Sequence, residues 1–136
     1  VAFDRAVEML EALKSKIGIV FTVETLDNLI AGGRLNTGKA KTNLNFRPVF
    51  ELKAKILFKG NARGSRERLD EMIAAVPPNA RRIIACRCGE QTDVSSLTEM
   101  LKASHPNVYI HQRVLGPVLS IHIGRGAFGV AYVTKD

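Results

Sequence analysis

The first apolar residues of the chain, Phe3, Val7, Leu10, Leu13 and Ile17, fall three or four positions apart, with Glu8, Glu11 and Lys14 between them. That spacing lines one face of a helix and predicts an amphipathic helix over 3–16. The rhythm then changes. Ile17-Gly18-Ile19-Val20-Phe21-Thr22-Val23 is nearly all apolar or β-branched, the pattern of a strand buried on both faces. Thr25 can cap a short helix whose inward stripe is Leu26, Leu29 and Ile30, and Gly32-Gly33 ends it. Residues 34–45 are polar and predict a loop. Two strands follow over 46–52 and 55–59, with Lys53-Ala54 as the turn; Pro48 puts the first at an edge or a strand start.

Ser65 is the expected N-cap of a helix running to Val76, with Leu69, Met72, Ile73 and Val76 inward, and Pro77-Pro78-Asn79 stops it. A strand is predicted over 82–86. Thr92 or Asp93 starts a helix with Leu97, Met100 and Leu101 inward, and 108–112 is another strand. The last stretch reads as two apolar strands, 114–122 and 130–133, around a turn holding Gly124, Gly126 and Gly129. Alternation early and a run of strands late predict an α+β fold. The expected architecture is an α/β sandwich, with helices packed on a mixed, largely antiparallel sheet. Its 136 residues suit a single domain, 1–136.

Composition sharpens this picture. With 46% hydrophobic residues the chain is globular rather than disordered, and no apolar run nears the roughly 20 residues of a helical membrane span. It lacks the basic-then-apolar order of a signal peptide, and its start without Met suggests a processed chain or, as the favoured expectation, a piece cut from a longer protein. Cys86 and Cys88 are one residue apart, where a disulfide would be strained, and they have too few companions for zinc. Two reduced thiols in a core strand are expected, which suits a cytoplasmic protein. No metal and no cofactor is expected.

The net charge of +7 is localised. Residues 1–34 carry four basic and five acidic groups (−1), residues 35–68 nine and two (+7), residues 69–136 seven and six (+1). The nine cations between Lys39 and Arg68 could form a basic interaction module, binding nucleic acid or an acidic protein through 35–68. They could equally be a solvated face. The interleaved aromatics and recognition motifs of nucleic-acid readers are not evident, so nucleic acid is not favoured.

Little in the chain points to catalysis. Gly124-x-Gly126-x-x-Gly129 matches the dinucleotide fingerprint in form, but no helix or βαβ unit follows it. It reads as a tight turn, or as backbone able to approach an anion. His122 before that turn and Arg34 after Gly32-Gly33 could each donate hydrogen bonds to a carboxylate. Ser120 lies on the same side as His122 in a regular strand, with no third partner visible. Neither a nucleophile elbow nor paired carboxylates at helical spacing occur, so no catalytic residue is assigned and the chain is not read as an enzyme.

Three segments together resemble the DegV family. Thr25-Leu26-Asp27-Asn28-Leu29-Ile30-Ala31-Gly32-Gly33-Arg34-Leu35 is similar to its T-L-x-x-L-x-x-G-G-R-I segment. Gly38-Lys39-Ala40 with Leu44-Asn45-Phe46-Arg47-Pro48-Val49 is similar to its G-K-A … L-N-I-K-P-I stretch. Leu115-Gly116-Pro117-Val118 with His122-Ile123-Gly124-Arg125-Gly126-Ala127-Phe128-Gly129 is similar to its I-G-P-V … H-T-G-P-G-A-L-G ending. The resemblance implies a bacterial-type two-domain protein of the EDD fold holding a long-chain fatty acid between its domains. This chain would be the C-terminal, acyl-tail domain. The missing N-terminal domain would supply Ser/Thr hydroxyls for the carboxylate, and a fatty-acid kinase is a possible partner. The implied ligand-binding set is Arg34 and His122 at the head group, with Gly33, Gly124, Gly126 and Ser120. Phe21, Leu26, Ile30, Leu44, Phe46 and Phe128 would lie along the tail. Arg125 stands where the family has Pro, Ile123 replaces a hydroxyl residue, and the segment between Gly38 and Leu44 is shorter by about one helical turn.

Overall fold

A computed structural model describes residues 2–34, 47–52 and 55–135. The described residues form five α-helices and six strands. In chain order these are α1 (Phe3–Leu13), β1 (Ile17–Thr22), α2 (Asp27–Ala31), β2 (Arg47–Leu52), β3 (Ile56–Ala62) and α3 (Ser65–Ala75), then β4 (Ala80–Arg87), α4 (Ser95–Ser104), β5 (Ile110–Val114), α5 (Pro117–Ile123) and β6 (Phe128–Thr134). The strands make one sheet in the order β3-β2-β1-β6-β4-β5. Every pairing is antiparallel except β4 with β5, whose crossover carries α4. The fold is thus α+β with a mixed, largely antiparallel sheet.

Strand alternation divides the core between the two faces of the sheet. Val20 of β1, Val49 of β2, Ile83 and Ala85 of β4 and Phe128 and Val130 of β6 join Met72, Val76, Leu97 and Leu101 from α3 and α4. Their odd-phase neighbours Phe21 and Phe50 face the other way, into a second cluster with Leu26, Leu29, Ile123 and Ala127 from the α2 and α5 region. Phe50 is fully buried, and the Phe21 ring stacks on it at 5.4 Å between centroids. The second cluster is the layer beneath the ends of α2 and α5.

The helix starts follow local chemistry. Thr25 Oγ1 accepts a hydrogen bond from the Asp27 amide at 3.2 Å, and the Asp93 carboxylate accepts the Ser95 amide at 2.8 Å before α4. Those Ser95 hydrogen bonds hold the Asp93 carboxyl below the ordinary aspartate range. At α3 the cap is Gly64 rather than Ser65, which is already helical, and Glu67 reaches back to accept the Arg63 amide at 2.8 Å.

Two sequence expectations are corrected. Residues 114–122 do not form a strand: β5 ends at Val114, and Gly116-Pro117 opens α5. Proline at the first helical position has its φ preset and no amide to leave unpaired. The apolar run Val118, Leu119, Ile121 fits either period over so short a length, so only the Gly-Pro start identifies the helix. Ser120 and His122 are therefore about 200° apart around a helix, not on one side of a strand. The second correction concerns α1, which ends at Leu13 rather than at residue 16, with Lys14–Lys16 a 3-10 turn; none of its residues is buried. Phe3 is 81% and Leu10 64% exposed. Periodicity specifies which face is apolar, not what covers it.

Cys86 and Cys88 are both free, the first half-buried and the second buried beyond the end of β4. Burial raises the Cys86 thiol pKa, with Arg113 opposing it weakly. No helix among the described residues is long and apolar enough to cross a membrane.

One charged side chain is taken into the core region. Arg68 of α3 has a side chain only 9% accessible; its Nη1 lies 3.3 Å from Glu24 Oε1, and its guanidinium sits over the Phe128 ring at 4.9 Å. Burial lowers its pKa, and the Glu24 charge raises it. The pair links α3, the segment after β1 and the start of β6. Replacing Glu24 by Ala leaves a buried cation unpaired and should cost about 1–2 kcal/mol in urea unfolding, less than a fully buried pair because Glu24 is 43% exposed. Phe50→Ala should cost about 3–5 kcal/mol in the same measurement, through lost burial and the cavity left under Phe21.

Candidate ligand-binding site

The two short helices α2 and α5 pack together, and both end in glycine, α2 at Gly32 and α5 at Gly124. Within α2 the Gly32 amide donates to the Asn28 carbonyl at 3.0 Å, which puts Asn28 and Gly32 on one side of the helix, a turn apart. That side meets the C-terminal turn of α5. The His122 ring lies close against Gly32: a β-carbon there would stand 2.8 Å from Nδ1. Nδ1 is buried and has no hydrogen-bond partner among the described residues.

Arg34 reaches the same glycine from the other direction. Its amide donates to the Leu29 carbonyl at 2.8 Å, closing α2, and its exposed guanidinium donates to the Gly32 carbonyl at 2.7 Å. The two head-group residues expected from the sequence thus converge on Gly32, one on its carbonyl and one on its Cα. Gly33 between them has φ +69°.

The turn after His122 depends on two further glycines. Gly124 has φ +81° and Gly126 φ +86°, values that side-chain-bearing residues rarely adopt. Space forbids side chains as well. A β-carbon on Gly124 would overlap the Asn28 carboxamide nitrogen, and one on Gly126 would stand 2.6 Å from Glu24 Cγ. Asn28 packs on the first glycine and the Glu24–Arg68 pair on the second, so the turn is clamped at both points.

The remaining expected residues divide. Ser120 Oγ donates to the Gly116 carbonyl at 2.9 Å, within its own helix. Phe21 and Leu26 are buried, and Ile30 packs against them, in the cluster beneath α2 and α5. Phe128 belongs to the other face of the sheet, under Arg68. Leu44 and Phe46 lie outside the described residues. Sequence reading passed over Asn28 and Gly32. The available signal was their four-residue spacing, which puts both on the side of α2 that leads to Arg34.

An open cleft of about 650 Å³ lies beyond the glycine turn, lined by Glu24, Arg68, Glu90, Asp93, Arg125 and Phe128 among others. It touches neither His122 nor Arg34, and its opposing charges largely cancel. The basic set of the second quarter is likewise divided. Arg68 is buried, Arg66 pairs with Asp70 at 3.4 Å, Lys55, Lys59 and Arg63 are exposed, and Lys39, Lys41 and Lys53 lie outside the described residues. No group of three His, Cys, Asp or Glu among the described residues could hold a metal ion.

Comparison with known proteins gives a consistent result. The chain matches the family described as "Uncharacterised protein, DegV family" over residues 1–135. A DegV domain-containing protein of Deinococcus radiodurans is 30% identical over 140 residues, covering 96% of this chain and 49% of that protein. A structure described as fatty acid binding of a DegV family protein from Thermus thermophilus has a TM-score of 0.83 at 27% identity, over 98% of this chain and 51% of that one. The Streptococcus pneumoniae fatty acid kinase B3 protein loaded with linoleic acid shares the fold, with a TM-score of 0.83 at 23% identity over 99% of this chain and 50% of that one. The chain spans about half the length of the curated relatives it matches. With the family's match running from end to end of the described fold, this chain belongs to the DegV family.

Proposed function

We propose that this chain is the acyl-tail half of a fatty-acid carrier, with Arg34 and His122 addressing the carboxylate. The observation that carries the reading is their convergence on Gly32, above the apolar cluster of Phe21, Leu26, Leu29 and Ile123. An imidazole with a buried, unpartnered nitrogen and an exposed guanidinium, both beside apolar side chains, match an amphiphile with one anionic end. Burial of an acyl chain contributes about 0.8 kcal/mol per CH₂, so the tail supplies affinity and the polar corner supplies orientation. The Thermus thermophilus relative described as fatty acid binding supports the ligand class. The kinase B3 relative loaded with linoleic acid supports a fatty-acid kinase as partner.

In this reading the site is shared. The other half of a longer protein contributes hydroxyl groups to the carboxylate. Gly33, Gly124 and Gly126 shape the backbone of this half, and Ser120 braces α5. Phe21, Leu26, Ile30, Leu44 and Phe46 serve the tail side, while Phe128, on the other face of the sheet under Arg68, is withdrawn from that set. The chain acts as carrier rather than catalyst, and its free thiols fit a reducing, cytoplasmic setting.

Full-length protein extracted under native conditions should release a long-chain fatty acid in mass spectrometry; protein that is consistently empty and takes up no added palmitate would remove the carrier reading. His122→Ala and Arg34→Ala in the full-length protein should each weaken palmitate binding about tenfold or more, the scale of one hydrogen bond to a charged group. Unchanged affinity in both would withdraw their assignment.

A further inference from the structure

We propose that Asn28 is a further head-group residue, its carboxamide donating a hydrogen bond to the carboxylate of a ligand held at His122. This rests on the carrier reading above and extends it to a residue outside the expected set.

The argument starts from position. Asn28 stands one turn before Gly32 on the side of α2 that faces α5, and the His122 ring covers Gly32. The His122 ring on Gly32 and the Asn28 side chain therefore meet the same helix face one turn apart, at backbone positions about 6 Å apart by helix rise. Donors on neighbouring turns of one face suit the two oxygens of a single carboxylate. The side chain is also held in place. Its Nδ2 fills the space where a side chain on Gly124 would stand, and Gly124 is fixed in turn by its own positive φ and by its amide, which donates to the Ser120 carbonyl at 2.9 Å.

The carboxamide is also unspent. Asn28 is half-buried, and its side chain makes no hydrogen bond among the described residues. A packed amide with both N–H groups unused, next to an imidazole whose Nδ1 is unpartnered, makes a polar corner whose unmet capacity is mainly for donation. Asp27 on the same helix is exposed and turned about 100° away, so it does not compete for that corner.

The test separates recognition of the head group from packing. Palmitate and its neutral analogue hexadecanol are titrated into full-length wild type, Asn28→Ala and Asn28→Asp at neutral pH. The Asp variant keeps nearly the same shape against Gly124 but sets a carboxylate against a carboxylate. Asn28→Ala should weaken palmitate about tenfold, and Asn28→Asp about a hundredfold, with hexadecanol changed less than about threefold in both. Equal losses on the two ligands would mean that Asn28 only packs the turn, and unchanged palmitate affinity would mean that it does not reach the ligand; either overturns the proposal. Wild-type protein that binds neither ligand overturns the carrier reading, and this inference falls with it.

Discussion

Because β6 pairs with β1 on one side and with β4 on the other, the two parts of the sheet, β3-β2-β1 and β4-β5, are joined among the described residues through β6 alone. Register is set from both sides at once: Gly129 stands opposite Phe21 in β1 and opposite Cys86 in β4. The turn that delivers β6 must therefore end at one place. It does so with two glycines in a region of φ that other residues avoid, clamped by Asn28 and by the Glu24–Arg68 pair. His122 is two residues before the first of those glycines. Its position is thus tied to the register of β6 between β1 and β4.

That dependence explains why the polar corner sits over apolar packing. Phe21 and Phe50 project from the face opposite Val20 and Val49, and α2 and α5 cover them end to end. Their helix termini bring together an amide, an imidazole and a guanidinium at the rim of that layer. Arg34 is exposed and Asn28 half-buried, so neither is fully withdrawn from solvent. In the proposed carrier role such a corner orients an anion without burying an isolated charge, which would be costly. Arg68 shows the contrast: it is buried, and it lies against both a carboxylate and an aromatic face.

Much of the fold was legible in the sequence, for identifiable reasons. Long periodic segments such as 65–76, and β-branched runs such as 17–23, carry a period that only one element satisfies. The region 114–122 failed because nine apolar-rich residues fit two periods, and the Gly-Pro start that decides between them is a local signal easily read as a turn. The exposure of the apolar face of α1 was not legible either, since amphipathicity implies a partner without naming it. At the candidate site, His122 and Arg34 were singled out by residue chemistry beside glycines and by the ordered motifs, and both contact Gly32. Their meeting point, Gly32, was not legible, because contact between α2 and α5 depends on tertiary packing across nearly the whole chain. Asn28 was hidden by the same fact.

The positive charge between residues 35 and 68 takes on another meaning once β3 is known to lie at the margin of the sheet. A marginal strand offers unpaired amides and carbonyls to any extended segment that drifts past, including the same strand of another copy. Exposed Lys59 on β3 and Lys55 just before it would be brought against their counterparts in such a pairing. The repulsion would act on contact and weaken as added salt shortens its range. Lys55 and Lys59 thus sit where their charge opposes edge-to-edge pairing of two copies, with no anionic partner required.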